Sequence, residues 1–282
     1  MPVTERELRS LVTLLDDEDQ SSVELVRRQI LTVGDRALPY LDELRHHGAG
    51  ELAARAEEVA DELRYLGIRR EFESLAQASD PDLEKGVFLL AKFGHPQTDL
   101  RPYTSWLDRV AGRVQDELPN ETDQSVLFQR LNSHLFQALG FNGNESRYYD
   151  PDNSFVHRVI ETRRGIPVSL SVIYLLLAKR LGLSVYGVAT PGHFLIGFRP
   201  GPQPCFLDAY HKGRIMDLHE VRRMLLRGGY EFRPDFVDRC SNRDIMARMM
   251  RNLTAIYEKA GAAGKAERLA ELTRVLLGAP ND

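Results

Sequence analysis

Cysteine and tryptophan are almost missing from this sequence, with two of the first and one of the second in 282 residues. Cys205 and Cys240 lie too far apart along the chain to make a thiolate zinc site, and no structural disulfide is expected of a cytoplasmic chain. An excess of positive charge is missing as well. With 37 Lys and Arg against 41 Asp and Glu, a net charge of −4 and a pI near 6.1, the composition carries no footprint of a nucleic-acid or anionic-membrane partner. No long hydrophobic run occurs: the longest, from about Ile166 to Ala178, is interrupted by Ser169, Ser171 and Tyr174. That is too short for a bilayer span and suits a buried helix. The opening Met1-Pro-Val-Thr-Glu-Arg-Glu-Leu8 lacks the charged start and apolar stretch of a secretory signal, so a cytoplasmic location is the expectation. What is present, 43% hydrophobic and 28% charged residues with Gly and Pro scattered along the chain, is the composition of a folded globular protein.

From Thr4 to about Leu66 apolar residues recur at helical spacing: Leu8, Leu11, Leu14 and Leu15, then Val23, Val26, Ile30 and Leu31, then Leu38, Leu41 and Leu44, then Leu52, Ala56, Val59 and Leu63. Breaks at Asp16–Asp19, Gly34-Asp35 and His47–Gly50 carry cap and turn residues, which predicts short helices paired like the units of a helical repeat over residues 1–68. Helices continue through 69–140, with Asp80-Pro81 starting one, Gly94-His95-Pro96 closing it, and Trp106, Leu107, Val110 and Val114 marking another. Residues Phe141–Asn153 read as a polar, turn-rich loop.

Gly165-Ile166-Pro167 then opens a helix with Pro at the first helical position, and Leu181-Gly182 closes it with a left-handed cap. Its residues leave almost no polar face, so it should be central and covered on most sides. After it the period changes. Leu183–Ala189, Phe194–Phe198 and Cys205–Tyr210 are short apolar runs separated by Pro- and Gly-rich turns, which reads as an antiparallel sheet on the helix. Residues 236–282 return to helix as a hairpin broken at Gly261–Gly264. The fold class is α+β, with a core over 69–235.

A buried helix opening at a sharp Gly turn, followed by one strand with His193 and another with Asp208, has the layout of a papain-like or transglutaminase-like site. The stretch Asn153–Tyr174, with Pro191-Gly-His-Phe-Leu195 and Leu207-Asp-Ala-Tyr210, resembles the bacterial SirB family of transglutaminase-like proteins. The resemblance runs from roughly Leu75 to Asn252, and the C-terminal hairpin resembles that family's tetratricopeptide-type tail. In an active transglutaminase the turn reads Arg-Gly-Val-Cys, and counting from the Gly that ends the helix places Pro167 at the position of that Cys. His193 and Asp208 match the family's His and Asp. Chemistry of this kind uses a thiolate at a helix N-terminus, a His as base and acid, and an Asp that orients the His. Proline supplies no nucleophile and no N–H for an oxyanion, and losing one oxyanion donor alone costs about 2.7–4 kcal/mol of transition-state stabilisation.

The resemblance therefore implies a non-catalytic protein that binds a peptide, small ligand or protein partner, with no cofactor. Arg163, Arg164, His193, Asp208 and Tyr210 are the ligand-binding candidates, and the helical ends offer partner surface. The competing reading is a hydrolase or acyltransferase using Ser169 or Cys205 as a non-standard nucleophile, with His193 as base. Ser169 in an apolar helix more often bonds a backbone carbonyl, and Cys205, three residues before Asp208, falls on the opposite face of an ordinary strand. No metal site is expected, because His193, Asp208 and His211 would converge only if the turn after Tyr210 folded back.

Overall fold

In a computed structural model the described residues are 4–48 and 50–278. Ala49, within one of the expected helix breaks, and the first three residues of the opening stretch lie outside them. The chain divides into two compact units, Met1–Glu71 and Phe72–Asp282.

The first unit is helical: α1 (Glu5–Thr13), α2 (Gln20–Val33), α3 (Leu38–His47) and α4 (Gly50–Ala76), the last running past the unit's end. The starts of α1 and α2 are fixed by side chains that satisfy amides otherwise left open. At α1 the Thr4 hydroxyl accepts the Glu7 N–H at 3.3 Å while the Glu7 carboxylate accepts the Thr4 N–H at 2.7 Å. Asp19 caps α2 in the same way, through the N–H groups of Ser21 and Ser22. The apolar stripes meet in one core of Leu15, Ile30, Leu41, Ala56, Val59 and Leu63, and Arg55 donates to the carbonyls of Leu15 and Asp17, both at 2.8 Å.

The second unit begins with α5 (Leu83–Gly94), α6 (Arg101–Glu117) and α7 (Gln124–Asn132). Helix α5 starts slightly later than Asp80-Pro81 implies, because Asp82 is the cap and accepts the Lys85 N–H at 2.8 Å. Next come β1 (Asn142–Gly143), α8 (Val156–Thr162), β2 (Arg164–Gly165) and the central helix α9 (Pro167–Arg180). Within α9 only Leu175, Lys179 and Arg180 escape burial. At its end Arg180 grips Glu84 at 2.8 and 2.9 Å and Asp108 at 2.7 Å, tying α9 to α5 and α6. Gly182 takes the left-handed conformation at φ 67°.

Helix α9 packs on β3 (Val185–Val188) and β4 (Leu195–Phe198). With β5 (Cys205–Asp208) and β6 (Arg214–Met216) these form an antiparallel sheet of sequential order β3-β4-β5-β6. Val188, Leu195, Phe206 and Met216 share one face with Val221 and Leu225 of α10 (Leu218–Arg227). Strand β6 goes beyond the sequence-based expectation, since Arg-Ile-Met is too short to show a period of two. Helices α11 (Asn242–Lys259) and α12 (Ala263–Leu277) form the hairpin, with α11 packed on α5 and α9. The architecture is the expected α+β arrangement of helix on antiparallel sheet. Among the described residues no helix is long and apolar enough to cross a membrane.

On α8, His157 is 1% exposed, and neither ring nitrogen has a hydrogen-bond partner. Its ring lies 4.7 Å from that of His95 and 5.5 Å from that of Tyr103. Burial, with a further contribution from His95, pushes its pKa down to about 4.

Candidate functional site

The site has two ends. At the helix end, Ile166 in extended conformation leads into Pro167, the buried first residue of α9. Ile166 has no side-chain acceptor to cap the helix. The Ser169 hydroxyl, 0% exposed, does this instead: it accepts the Ile166 N–H at 3.1 Å and donates to the Asn153 carbonyl at 2.6 Å. Its proton is committed to the main chain, which is the behaviour expected of Ser in an apolar helix.

At the sheet end, His193 follows the Pro191-Gly192 turn. Arg248 of α11 donates to the carbonyls of Thr190 and His193, each at 3.4 Å. His193 Nε2 lies 2.9 Å from Asp208 Oδ2, which is the retained His–Asp contact. A second imidazole joins it: His211 Nδ1 lies 2.7 Å from the same oxygen. The other carboxylate oxygen, Oδ1, accepts the main-chain N–H groups of Tyr210 at 3.0 Å and His211 at 3.2 Å. Burial pushes the Asp208 carboxyl up, but hydrogen bonds and charge from His193 and His211 outweigh it and hold the pKa below the usual carboxylate value.

His211 reaches this position because the turn after Tyr210 does fold back. Lys212 and Gly213 both have positive φ, 57° and 71°, and the Gly213 N–H closes onto the Asp208 carbonyl at 2.9 Å. A Cβ at Gly213 would sit 2.1 Å from Asn132 Oδ1 and 2.3 Å from Phe136, so glycine is required there on two counts.

The two ends are joined through the short parallel pair β1–β2. Gly143 N–H donates to Tyr210 O and Asn144 N–H to Gly165 O, both at 3.0 Å. Alongside lies a polar cleft of about 540 Å³ lined by residues 142–146 together with Arg164, His211 and Lys212. Its loop is held from beneath by Asn153, whose amide donates to the carbonyls of Arg147 and Tyr148 and accepts from Asn144 at 2.8 Å. Of the sequence candidates, Arg164 lines this cleft, and Tyr210 stands beside it with its ring edge-on to His193 at 6.1 Å. Arg163 is placed elsewhere. It is the left-handed cap of α8, and its guanidinium lies 5.0 Å from the Trp106 ring centroid and 4.8 Å from that of Phe141. Cys205 lies on the sheet face opposite Asp208, lining a separate apolar cavity of about 480 Å³ with Phe128, Phe198 and Ile215. Cys240 is no better placed for chemistry, since burial and then Asp244 push its thiol up to about 11. Asn142, Asn144, Ser146 and Lys212 were not singled out from the sequence. Their only advance signal is the polar loop immediately before the helix turn.

A family model described as the transglutaminase-like superfamily matches residues 101–251, a stretch that contains Pro167, His193 and Asp208. The chain belongs to this superfamily. It is 32% identical over 216 residues to a UPF0162 protein of Xylella fastidiosa, covering 74% of this chain and 76% of the relative. A UPF0162 protein of Vibrio cholerae is 30% identical over 146 residues, 51% of this chain and 54% of that protein. The human F-box only protein 21 is 28% identical over 146 residues, 49% of this chain and 23% of that protein. No solved structure gives a significant match. In this transglutaminase-like chain the helix end thus carries an imino acid, while the sheet end carries the His–Asp pair and one imidazole more.

Proposed function

We propose that this protein is a non-catalytic ligand-binding module, a pseudoenzyme whose transglutaminase-like cleft holds a peptide or small ligand through an anionic group. The observation that carries the reading is the mismatch between the two ends of the site. His193 and Asp208 are paired at 2.9 Å, yet Pro167 offers no side chain to activate, the Ser169 proton is bound to the Asn153 carbonyl, and Cys205 lies across the sheet. The reading that uses Ser169 or Cys205 as nucleophile has no such group positioned for it. The anionic preference follows from the cleft lining: Arg164 and Lys212 are exposed, have no ion-pair partner among the described residues and outnumber the single carboxylate, Glu145, while Asn142, Asn144 and Ser146 supply neutral polar groups. A guanidinium and an ammonium beside amide and hydroxyl donors suit a carboxylate or phosphate.

Two measurements test this. Thiol-reactive and serine-reactive activity probes should give no labelling that depends on His193, and labelling that disappears in His193→Ala would overturn the non-catalytic reading. Calorimetric titration with short acidic peptides, citrate and inorganic phosphate should detect binding that weakens at least about tenfold in the Arg164→Ala/Lys212→Ala variant, the loss of roughly one charge-assisted contact. Binding unchanged in that variant would place the ligand elsewhere.

A further inference from the structure

We propose that His193, Asp208 and His211 form a binding site for one divalent transition-metal cation of the zinc type. Two imidazole nitrogens and one carboxylate oxygen are a donor set suited to such ions. Here the three ligand atoms lie within 4.8 Å of one another. Zinc–ligand bonds of about 2.0–2.2 Å at tetrahedral angles put donor atoms about 3.3 Å apart. The observed separations from Oδ2, 2.9 Å to His193 and 2.7 Å to His211, must open slightly and the two ring nitrogens, within 4.8 Å of each other, must draw together, which asks for a shift of one imidazole. His211 can supply it, because its side chain is 56% exposed on a turn.

Two further features favour a metal over a simple hydrogen-bonded pair. A His–Asp pair that orients a base uses one imidazole, and nothing in that layout calls for a second on the same oxygen. The main-chain amides of Tyr210 and His211 hold Oδ1, which leaves Oδ2 as a single, oriented ligand. Support of this kind is what fixes carboxylate ligands in metal sites. Binding needs the lone pairs of His193 Nε2 and His211 Nδ1, so each neutral ring carries its proton on the other nitrogen when the cation is present. His211 also lines the polar cleft. The fourth ligand, a water or an anion, would enter from that side, where Arg164 and Lys212 favour an anion. The site does not require the cleft reading to be right: metal uptake and anion binding in chelator are separate measurements.

The test uses the full chain, stripped with chelator and titrated with Zn²⁺ or Co²⁺. The expected result is uptake of one equivalent at micromolar metal, a raised thermal midpoint with Zn²⁺, and the visible absorption of tetrahedral Co²⁺. His211→Ala removes an exposed side chain and should leave the fold intact. It should weaken uptake at least about a hundredfold, as loss of one of three protein ligands predicts. His46→Ala/His47→Ala, which removes the exposed adjacent histidines most apt to take up metal non-specifically, should leave uptake unchanged. No stoichiometric uptake, or uptake that survives His211→Ala, would overturn the proposal.

Discussion

The two ends of the cleft were built to different specifications. At the start of α9 the turn itself offers no free polar group: Pro167 has no N–H, and Ser169 joins Ile166 to Asn153, while the nearby Ser171 hydroxyl is buried without a partner. At the end of β5 one carboxylate gathers four donors, two imidazoles on Oδ2 and two amides on Oδ1. The first end is closed by main-chain partners. The second holds polar groups together in a buried place, which needs full pairing to be tolerated and is costly to disturb. The contrast teaches that a helix turn with proline at its first position can face a fully paired polar cluster, because that cluster also anchors the turn leading into β6.

The largest effect should come from Asp208→Ala, which strands two imidazoles and two amides. We expect a loss of about 3 kcal/mol, read as a lowered denaturant midpoint. A loss below about 1 kcal/mol would show the cluster to be dispensable for the fold. The next concerns acid. The folded chain holds His157 at a pKa of about 4 against 6.5 for the free side chain. Between these values the unfolded chain binds a proton that the folded chain refuses, so stability declines as pH falls from about 6.5 towards 4. The decline amounts to at most about 3 kcal/mol. His157→Phe should flatten this limb, because the ring makes no hydrogen bond to lose; an unchanged acid limb would assign the loss to other groups. Ser169→Ala should cost roughly 1–2 kcal/mol through the unpaired Ile166 N–H and Asn153 carbonyl, with no change in probe labelling. Smallest of all, Pro167→Ala should shift stability by less than about 1 kcal/mol, chiefly through the unfolded chain. If Pro167→Ala proved costlier than Asp208→Ala, the contrast between the two ends would be reversed.

Much of this arrangement could be read from residues alone. Helix α9 announces itself through Pro167 at its start, Gly182 at its end and an unbroken apolar body, and the strands carrying His193 and Asp208 follow from the change of period. The convergence of His211 was conditional in the sequence, because it depends on Lys212 entering the left-handed region, which lysine does not advertise. The direction of Arg163 was hidden for a similar reason. Its φ of 60° turns the side chain away from its neighbour Arg164 and onto Trp106 and Phe141, aromatic partners far off in the chain. Strand β6 is called into being by pairing with β5 rather than by its own three residues. Local pattern thus reported the elements, and closure of the turns decided which side chains meet.

The position of Cys205 has a practical consequence. Its thiol opens onto an apolar chamber on the far side of the sheet, and the only other cysteine, Cys240, is held protonated at neutral pH by a pKa of about 11. An environment-sensitive dye attached at Cys205 would therefore report on the sheet from behind, without touching any residue that lines the cleft.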